Sequence, residues 1–280
     1  MMDEEHPDLP QESADTNSYS FGRIGEHNVI VACLPAGQLG TSSAAAVASQ
    51  MNSRFPSIRF GLMVGIGGGV PSTEADIRLG DVVISQPYMQ YGGVVQYDFG
   101  KADAEGRFTR TGSLNAPPAI LLSALAKLRA NYIRRRTKLS EHLSALVHLP
   151  EFAYQGADRD TLYNPTYNHA GGPTCESCSR EELVMRTPRE NVDVLLHFGT
   201  IASGNQVMKH GVTRDRLSAE LGGILCFEME AAGLMNNFPC LVIRGICDYA
   251  DSHKNKRWQP YAAATAAACA KELLSTIPTH

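Results

Sequence analysis

Two acids separated by one residue, Glu228 and Glu230, lie in the stretch Cys226-Phe227-Glu228-Met229-Glu230-Ala231-Ala232-Gly233. An apolar run precedes them and small residues follow. A second apolar run, Leu241-Val242-Ile243-Arg244-Gly245-Ile246-Cys247-Asp248, also ends in polar groups. In an open α/β sheet, ligands bind beyond the carboxyl ends of the strands. Two such ends carrying Glu, Arg and Asp can form one site, where carboxylates accept hydrogen bonds or act as general acids and bases. The plain alternative is structural, with Asp248 capping a turn and Glu228 balancing Arg244 as an ion pair.

Two further motifs carry potential chemistry. Leu62-Met63-Val64-Gly65-Ile66-Gly67-Gly68-Gly69-Val70 has the pattern G-x-G-G-G after an apolar run. A dinucleotide fingerprint needs a helix directly after its glycines, whereas Pro71 and a polar turn follow here. Close approach of a ligand to bare backbone is the better reading, with a tight turn as its alternative. Cys175-x-x-Cys178, with His169 six residues upstream, has the spacing of metal ligands, and His169 or His197 could complete a zinc site, but there is no second C-x-x-C. Zinc is the sharp reading and a lone pair of free thiols the plain one; no catalytic metal is expected.

These residues are positioned by alternating strands and helices. Tyr19–Ile24 and Asn28–Leu34 predict a hairpin, and Thr41 is expected to cap a small-residue helix that ends before Pro56. Strands are expected at Phe60–Ile66, Leu79–Ser85, Val94–Phe99, Val192–Ile201, 224–228 and 240–246. Helices are expected at Pro118–Arg136, Thr213–Leu221, 229–237 and 258–275. The alternation implies an α/β core with helices on both faces of the sheet. Residues 1–18 form an expected flexible N-terminal segment, and 19–280 one domain with an irregular, polar insertion at about 137–190.

With 43% hydrophobic and 19% charged residues and a net charge of −4, the chain lacks the basic clustering of a nucleic-acid binder. No apolar window approaches membrane-spanning length. An odd number of cysteines, several in apolar runs, predicts reduced thiols and a cytoplasmic location.

The pieces SYSFGRIGEHNVIVACLPAGQLGTSSAAA, FGLMVGIGGGVPS, IRLGDVVIS, HFGTIASGNQVMKHG, LCFEMEAAGLM and VIRGICDYADS, in this order, resemble the nucleoside phosphorylase and nucleosidase superfamily. The resemblance is stronger to a fungal branch of it, related to methylthioadenosine/S-adenosylhomocysteine nucleosidases. It implies a three-layer α/β fold, with a mixed and partly barrel-like central sheet flanked by helices, and a homo-oligomer. It also implies cleavage of the N-glycosidic bond of purine nucleosides. By the match of motifs, Glu230 grips the ribose hydroxyls, Met229 packs on the sugar and Glu228 lies near it. Asp248 donates a proton to purine N7, supported by Arg244. The segment holding Ser203, Asn205, Val207 and Met208 resembles the base-binding stretch, with Val207 over the purine face and Met208 offering backbone hydrogen bonds. Gly67 and Gly68 approach ribose and base.

The chemistry fits those residue types. Bond cleavage builds positive charge on the sugar and negative charge on the departing base, which a carboxylate and an acid respectively stabilise. For the acid role Asp248 must keep a proton, which burial and a nearby carboxylate are expected to favour. Phosphorylases of the superfamily hold phosphate with an arginine and a serine at positions that match Met63 and Ile66, and neither can bind an anion. Hydrolysis is therefore expected, without a cofactor. The alternatives are a phosphorylase with phosphate as co-substrate, held by backbone N–H groups at Thr41 or Ser42, and a catalytically silent nucleoside-sensing module of a larger receptor. Two departures stand out. Cys247 occupies a position where many relatives carry Ser or Thr. The opening apolar strand and water-orienting Glu of nucleosidases have no counterpart in the first residues, where Glu4 and Glu5 are poor substitutes.

Overall fold

The computed structural model describes residues 1–10, 15–146, 148–190 and 193–279. In chain order the strands are β1 (Glu4–His6), β2 (Tyr19–Ile24), β3 (His27–Ala32), β4 (Gly61–Gly69), β5 (Val82–Ser85), β6 (Val94–Gln96), β7 (Gly100–Ala102), β8 (Phe108–Arg110), β9 (Leu196–Gly199), β10 (Ile201–Ser203), β11 (Cys226–Glu228) and β12 (Cys240–Asp248). The α-helices are α1 (Thr41–Arg54), α2 (Ala119–Ile133), α3 (Leu139–Ser144), α4 (Gly211–Glu220) and α5 (Gln259–Leu274). No helix among the described residues is long and apolar enough to cross a membrane, and all seven cysteines are free.

Seven strands form the central mixed sheet in the order β6-β10-β11-β4-β12-β5-β9. β9 closes one end of that order and β10 is next to the other end, yet Thr200 alone separates them in the chain. The sheet must therefore curl so that its two ends approach each other, without pairing among the described residues, which makes it a half-barrel. The strand expected over Val192–Ile201 is thus two strands in one sheet; Val192 itself lies outside the described residues. The hairpin β2–β3 forms as expected. It belongs to a separate three-stranded sheet in which β1 pairs antiparallel with β2, Glu4 opposite Arg23 and His6 opposite Phe21. Part of the expected flexible start is thus paired strand, whereas residues 11–14 lie outside the described residues.

Three other expectations are corrected. The glycines Gly67–Gly69 are the last residues of β4, not a turn after it. Residues 229–237 form no α-helix: Ala231–Gly233 make a short 3-10 turn. The Glu228 carboxylate takes the N–H groups of Glu230 and Ala231, and a Cβ at Gly233 would lie 2.1 Å from the Thr41 carbonyl. The cap of α1 is Gly40, at φ 92°, with Thr41 as the first helical residue.

The insertion at 137–190 holds α3, four short 3-10 turns and an isolated bridge between Tyr163 and Leu183; Val147 within it lies outside the described residues.

Two main apolar clusters flank the sheet. One packs Val82, Ile84, Leu241 and Ile243 against Leu121, Leu125 and Leu128 of α2 and Leu273 of α5. The other gathers Ile77, Val83, Val242, Ile246 and Trp258 with Ala44 and Ala48 of α1. The alanines of α5 let it approach β12 until a Cβ at Gly245 would sit 1.8 Å from the Ala262 carbonyl oxygen. Backbone faces backbone there and neither side can yield. Gly245→Ala is expected to destabilise the fold by about 3 kcal/mol or more, lowering the melting temperature by roughly 6–12 °C. A thermal melt matching the parent protein would refute this packing.

Candidate active site

β4 supplies the floor of the site. β11 pairs with it antiparallel, Phe227 opposite Gly68, and β12 pairs parallel on the other side, Asp248 opposite the same Gly68. The ends of β11 and β12 thus flank one stretch of β4, about 10 Å apart at ordinary strand spacing. A Cβ at Gly65 would lie 2.2 Å from Arg244 Nη1, so the missing side chain is what lets Arg244 cross the strand. A Cβ at Gly68 would lie 2.7 Å from Asp248 Oδ1. An irregularity in register between Ile246 and Asp248 turns Asp248 toward Gly68. The glycine pattern therefore serves close approach, by the protein's own functional side chains in the first instance.

Arg244 is buried and reaches both acids of the Glu-Met-Glu turn. Its Nη2 donates to Glu228 Oε2 and, at 3.3 Å, to Glu230 Oε2, while Nη1 donates to the Ile66 carbonyl at 3.4 Å. Its Nε has no hydrogen-bond partner among the described residues. The two acids differ in what remains to them. Glu228 is buried, and its Oε2 accepts from Arg244 and from the N–H groups of Glu230 (3.1 Å) and Ala231 (3.0 Å), while Oε1 takes a 3.2 Å share of the Ala231 N–H. Losing one partner of such a buried pair costs about 3–5 kcal/mol. Among the described residues the Glu230 carboxylate has two long contacts, from Arg244 and from the Gly40 N–H at 3.4 Å, so with respect to those residues it keeps acceptor positions open.

Asp248 ends β12. Its Oδ1 accepts from the Ala250 N–H and from Lys254 Nζ, each at 2.8 Å. The charged neighbour of Asp248 is thus an ammonium, where the sequence reading expected a carboxylate. Cys247 Sγ lies 3.3 Å from Asp248 Oδ2 and 3.6 Å from the Gly67 carbonyl. Burial, and then the charge of Asp248, holds the Cys247 thiol well above its ordinary value. It stays protonated and acts as a weak donor, in place of a hydroxyl.

The Ser203–Met208 stretch closes the other side. Buried Ser203 accepts from the Ala232 N–H at 2.9 Å and fixes the turn after Glu230. Asn205 Oδ1 accepts from the Thr41 N–H and Oγ1, at 3.1 and 3.0 Å, and the Asn205 N–H donates to Asp98. The start of α1 is therefore stitched to Glu230 and Asn205. Val207 is 49% exposed, Met208 packs partly on the cluster around Phe227, and Met229 is half-buried in the turn. Met63 and Ile66 lie on β4 and offer no cation. Glu4 and Glu5 lie on the separate three-stranded sheet, where Glu4 pairs with Arg23. A cavity of about 420 Å³ lies elsewhere, lined by Arg78, Asp81, Tyr154, Arg186, Arg189 and Tyr261. Several of its charges pair with one another or with neighbours, for example Asp81 with Arg189 and His197.

The sequence reading missed Lys254 and Gly65. Gly65 was visible as the first glycine of G-x-G-G-G. Lys254 was hidden in the polar run Ser252-His253-Lys254-Asn255-Lys256, where nothing separates one lysine from the other.

The family model of the phosphorylase superfamily matches residues 4–275. The chain belongs to the phosphorylase superfamily. A nucleotide-binding leucine-rich repeat (NLR)-like protein from Hyaloscypha variabilis is 48% identical over 285 residues, covering 99% of this chain. The chain spans only 28% of that relative's length. The 5'-methylthioadenosine/S-adenosylhomocysteine nucleosidase of Mycobacterium bovis is 26% identical, over 93% of this chain and 85% of that enzyme. Among solved structures, the corresponding nucleosidase of Streptococcus pneumoniae, in complex with 8-aminoadenine, superposes with a TM-score of 0.60 at 16% identity, covering 99% of this chain and 92% of that one. The half-barrel with flanking helices is thus the fold of phosphorylase-superfamily nucleosidases.

Proposed function

We propose that this chain is a purine nucleosidase domain that hydrolyses the N-glycosidic bond. The observation that carries the reading is the division of labour between the two acids. Glu228 is buried in holding Arg244 and the turn, while Glu230, held by two longer contacts, keeps acceptor positions open. Glu230 then accepts from two ribose hydroxyls, contacts that tighten as the sugar becomes cationic. Met229 packs on the sugar, and Val207 and Met208 border the base. Asp248, with Lys254 beside it, delivers a proton to purine N7 as the base departs; the pair, not the aspartic acid alone, carries that proton.

Hydrolysis is favoured over phosphorolysis because Arg244 is committed to two carboxylates. The N–H groups of Gly40 and Thr41, at the start of α1, are likewise committed to Glu230 and Asn205. A second reading, a catalytically silent nucleoside-binding module, draws on the NLR-like relative, in which the matched stretch is a minor part.

The test is incubation with adenosine, inosine and methylthioadenosine, with and without phosphate, followed by chromatography of the free base. Base release at a rate indifferent to phosphate is expected. Release that requires phosphate would make the domain a phosphorylase, and binding without release would make it a sensor.

A further inference from the structure

The insertion folds back onto the loop that follows Asp248, and the contact is built from metal-ligating groups. His169, Cys175 and Cys178 bring a ring nitrogen and two sulfurs within 4.8 Å of one another. The His169 N–H donates to Ser252 Oγ at 2.9 Å, and Cys175 Sγ lies 4.0 Å from the His253 carbonyl. His253 is the independent second observation. It is 8% exposed, and neither of its ring nitrogens has a hydrogen-bond partner among the described residues; Nδ1 has only the longer ion-pair approach of Asp251. A buried imidazole without a hydrogen bond costs free energy unless something binds it. Its ring centre stands 5.5 Å from that of His169, and two imidazoles on one tetrahedral zinc have ring centres roughly 5 Å apart.

We infer that Cys175, Cys178, His169 and His253 form a structural zinc site that fastens the insertion to the loop after β12. A tetrahedral zinc with bonds of about 2.0–2.3 Å holds its ligand atoms about 3.3–3.8 Å apart. The ligand atoms of His169, Cys175 and Cys178 must therefore draw together by at most about 1–1.5 Å, and His253, which stands outside that group, must move in to join them. The surroundings suit each ligand. His169 Nε2 lies 3.0 Å from the Thr174 carbonyl, so Nε2–H donates there and Nδ1 ligates, exchanging its contact with the Gly171 N–H for the metal. His253 Nδ1 faces Asp251 Oδ1 at 3.6 Å, which leaves Nε2 for the metal with a carboxylate behind it. Tyr163 stacks on the His253 ring with centroids 4.0 Å apart and limits its rotation. Four closed ligands leave no open position, so the site is structural.

The test uses untagged full chain, kept reduced, with zinc measured by elemental mass spectrometry. About one zinc per chain, surviving desalting, is expected. Cys175→Ser with Cys178→Ser should lower it at least tenfold, and His253→Ala should weaken retention at least tenfold. Should the variants fail to fold, cobalt titration of the unaltered chain decides: a thiolate-to-cobalt absorption band saturating at one equivalent supports the site. Reduced protein that takes up no zinc or cobalt at one equivalent, or a double cysteine variant that keeps its zinc, overturns it. None of these readouts depends on base release, so the metal site and the nucleosidase reading can fail separately.

Discussion

Asp248→Asn is expected to lower kcat for base release by about a hundred- to ten-thousand-fold, the span of general acid catalysis, with KM changed little. Asparagine has the same shape. Its amide oxygen still accepts from the Ala250 N–H, which holds the end of β12 in place, and its amide can still hydrogen-bond a ring nitrogen. What it lacks is a proton to give. The Lys254 ammonium, 2.8 Å from Oδ1 in the parent, would face an amide oxygen and lose its route to the base through the carboxyl. The effect therefore belongs in turnover and not in binding. Steady-state kinetics with nucleoside, together with a binding isotherm on the variant, separate the two. Full turnover in Asp248→Asn would show that Asp248 is not the acid.

How much of this site was legible in the sequence follows from the physics of each residue. Glu228, Glu230, Arg244 and Asp248 were legible because each interrupts or ends an apolar run, and a charge in such a place needs a reason. The ion pair between Glu228 and Arg244 was even weighed as the plain alternative, and that pair exists, with Glu230 in a longer contact with the same arginine. Lys254 was not legible, since a lysine in a polar loop is by composition a solvated charge, and only the turn through Ala250, at φ 52°, brings it back to Asp248. The glycines were read as a place where a ligand approaches the backbone, after the strand; they lie within β4, where the protein's own Arg244, Asp248, Phe227 and Ile246 approach them. Local propensity penalises glycine in β-structure, and the need to clear these groups overrides it. The 229–237 segment has helix-forming residues, yet it forms a 3-10 turn with separate i→i+4 bonds from Met235 to Ala231 and from Phe238 to Leu234, packed at Gly233 against the Thr41 backbone, a tertiary contact that no window of sequence contains. The split of β9 from β10 at Thr200 was likewise invisible, because it is a property of how the sheet curls and not of the residues that cross it.

Glu230→Ala tests the other half of the reading and should behave differently from Asp248→Asn. Two hydrogen bonds from hydroxyls to a carboxylate are worth about 1.5–3 kcal/mol each, so kcat/KM is expected to fall by about a hundred- to ten-thousand-fold. Part of this loss should appear in KM, because the ground-state sugar is gripped too. The remainder should appear in kcat, because the grip tightens as the ring becomes cationic. Stability should change little. Glu230 contributes only contacts of 3.3 and 3.4 Å to the fold, and its loss leaves Arg244 still paired with Glu228. That contrast makes the experiment informative, since Glu228 holds the same arginine from a buried position where removal would unsettle the turn itself. A 2'-deoxy substrate supplies the internal check: having one hydroxyl fewer, it should lose less activity on Glu230→Ala than its ribose counterpart. Equal losses for the two sugars would mean that Glu230 does not touch the 2'-hydroxyl, and the assignment of the second acid as the sugar-binding group would have to be abandoned.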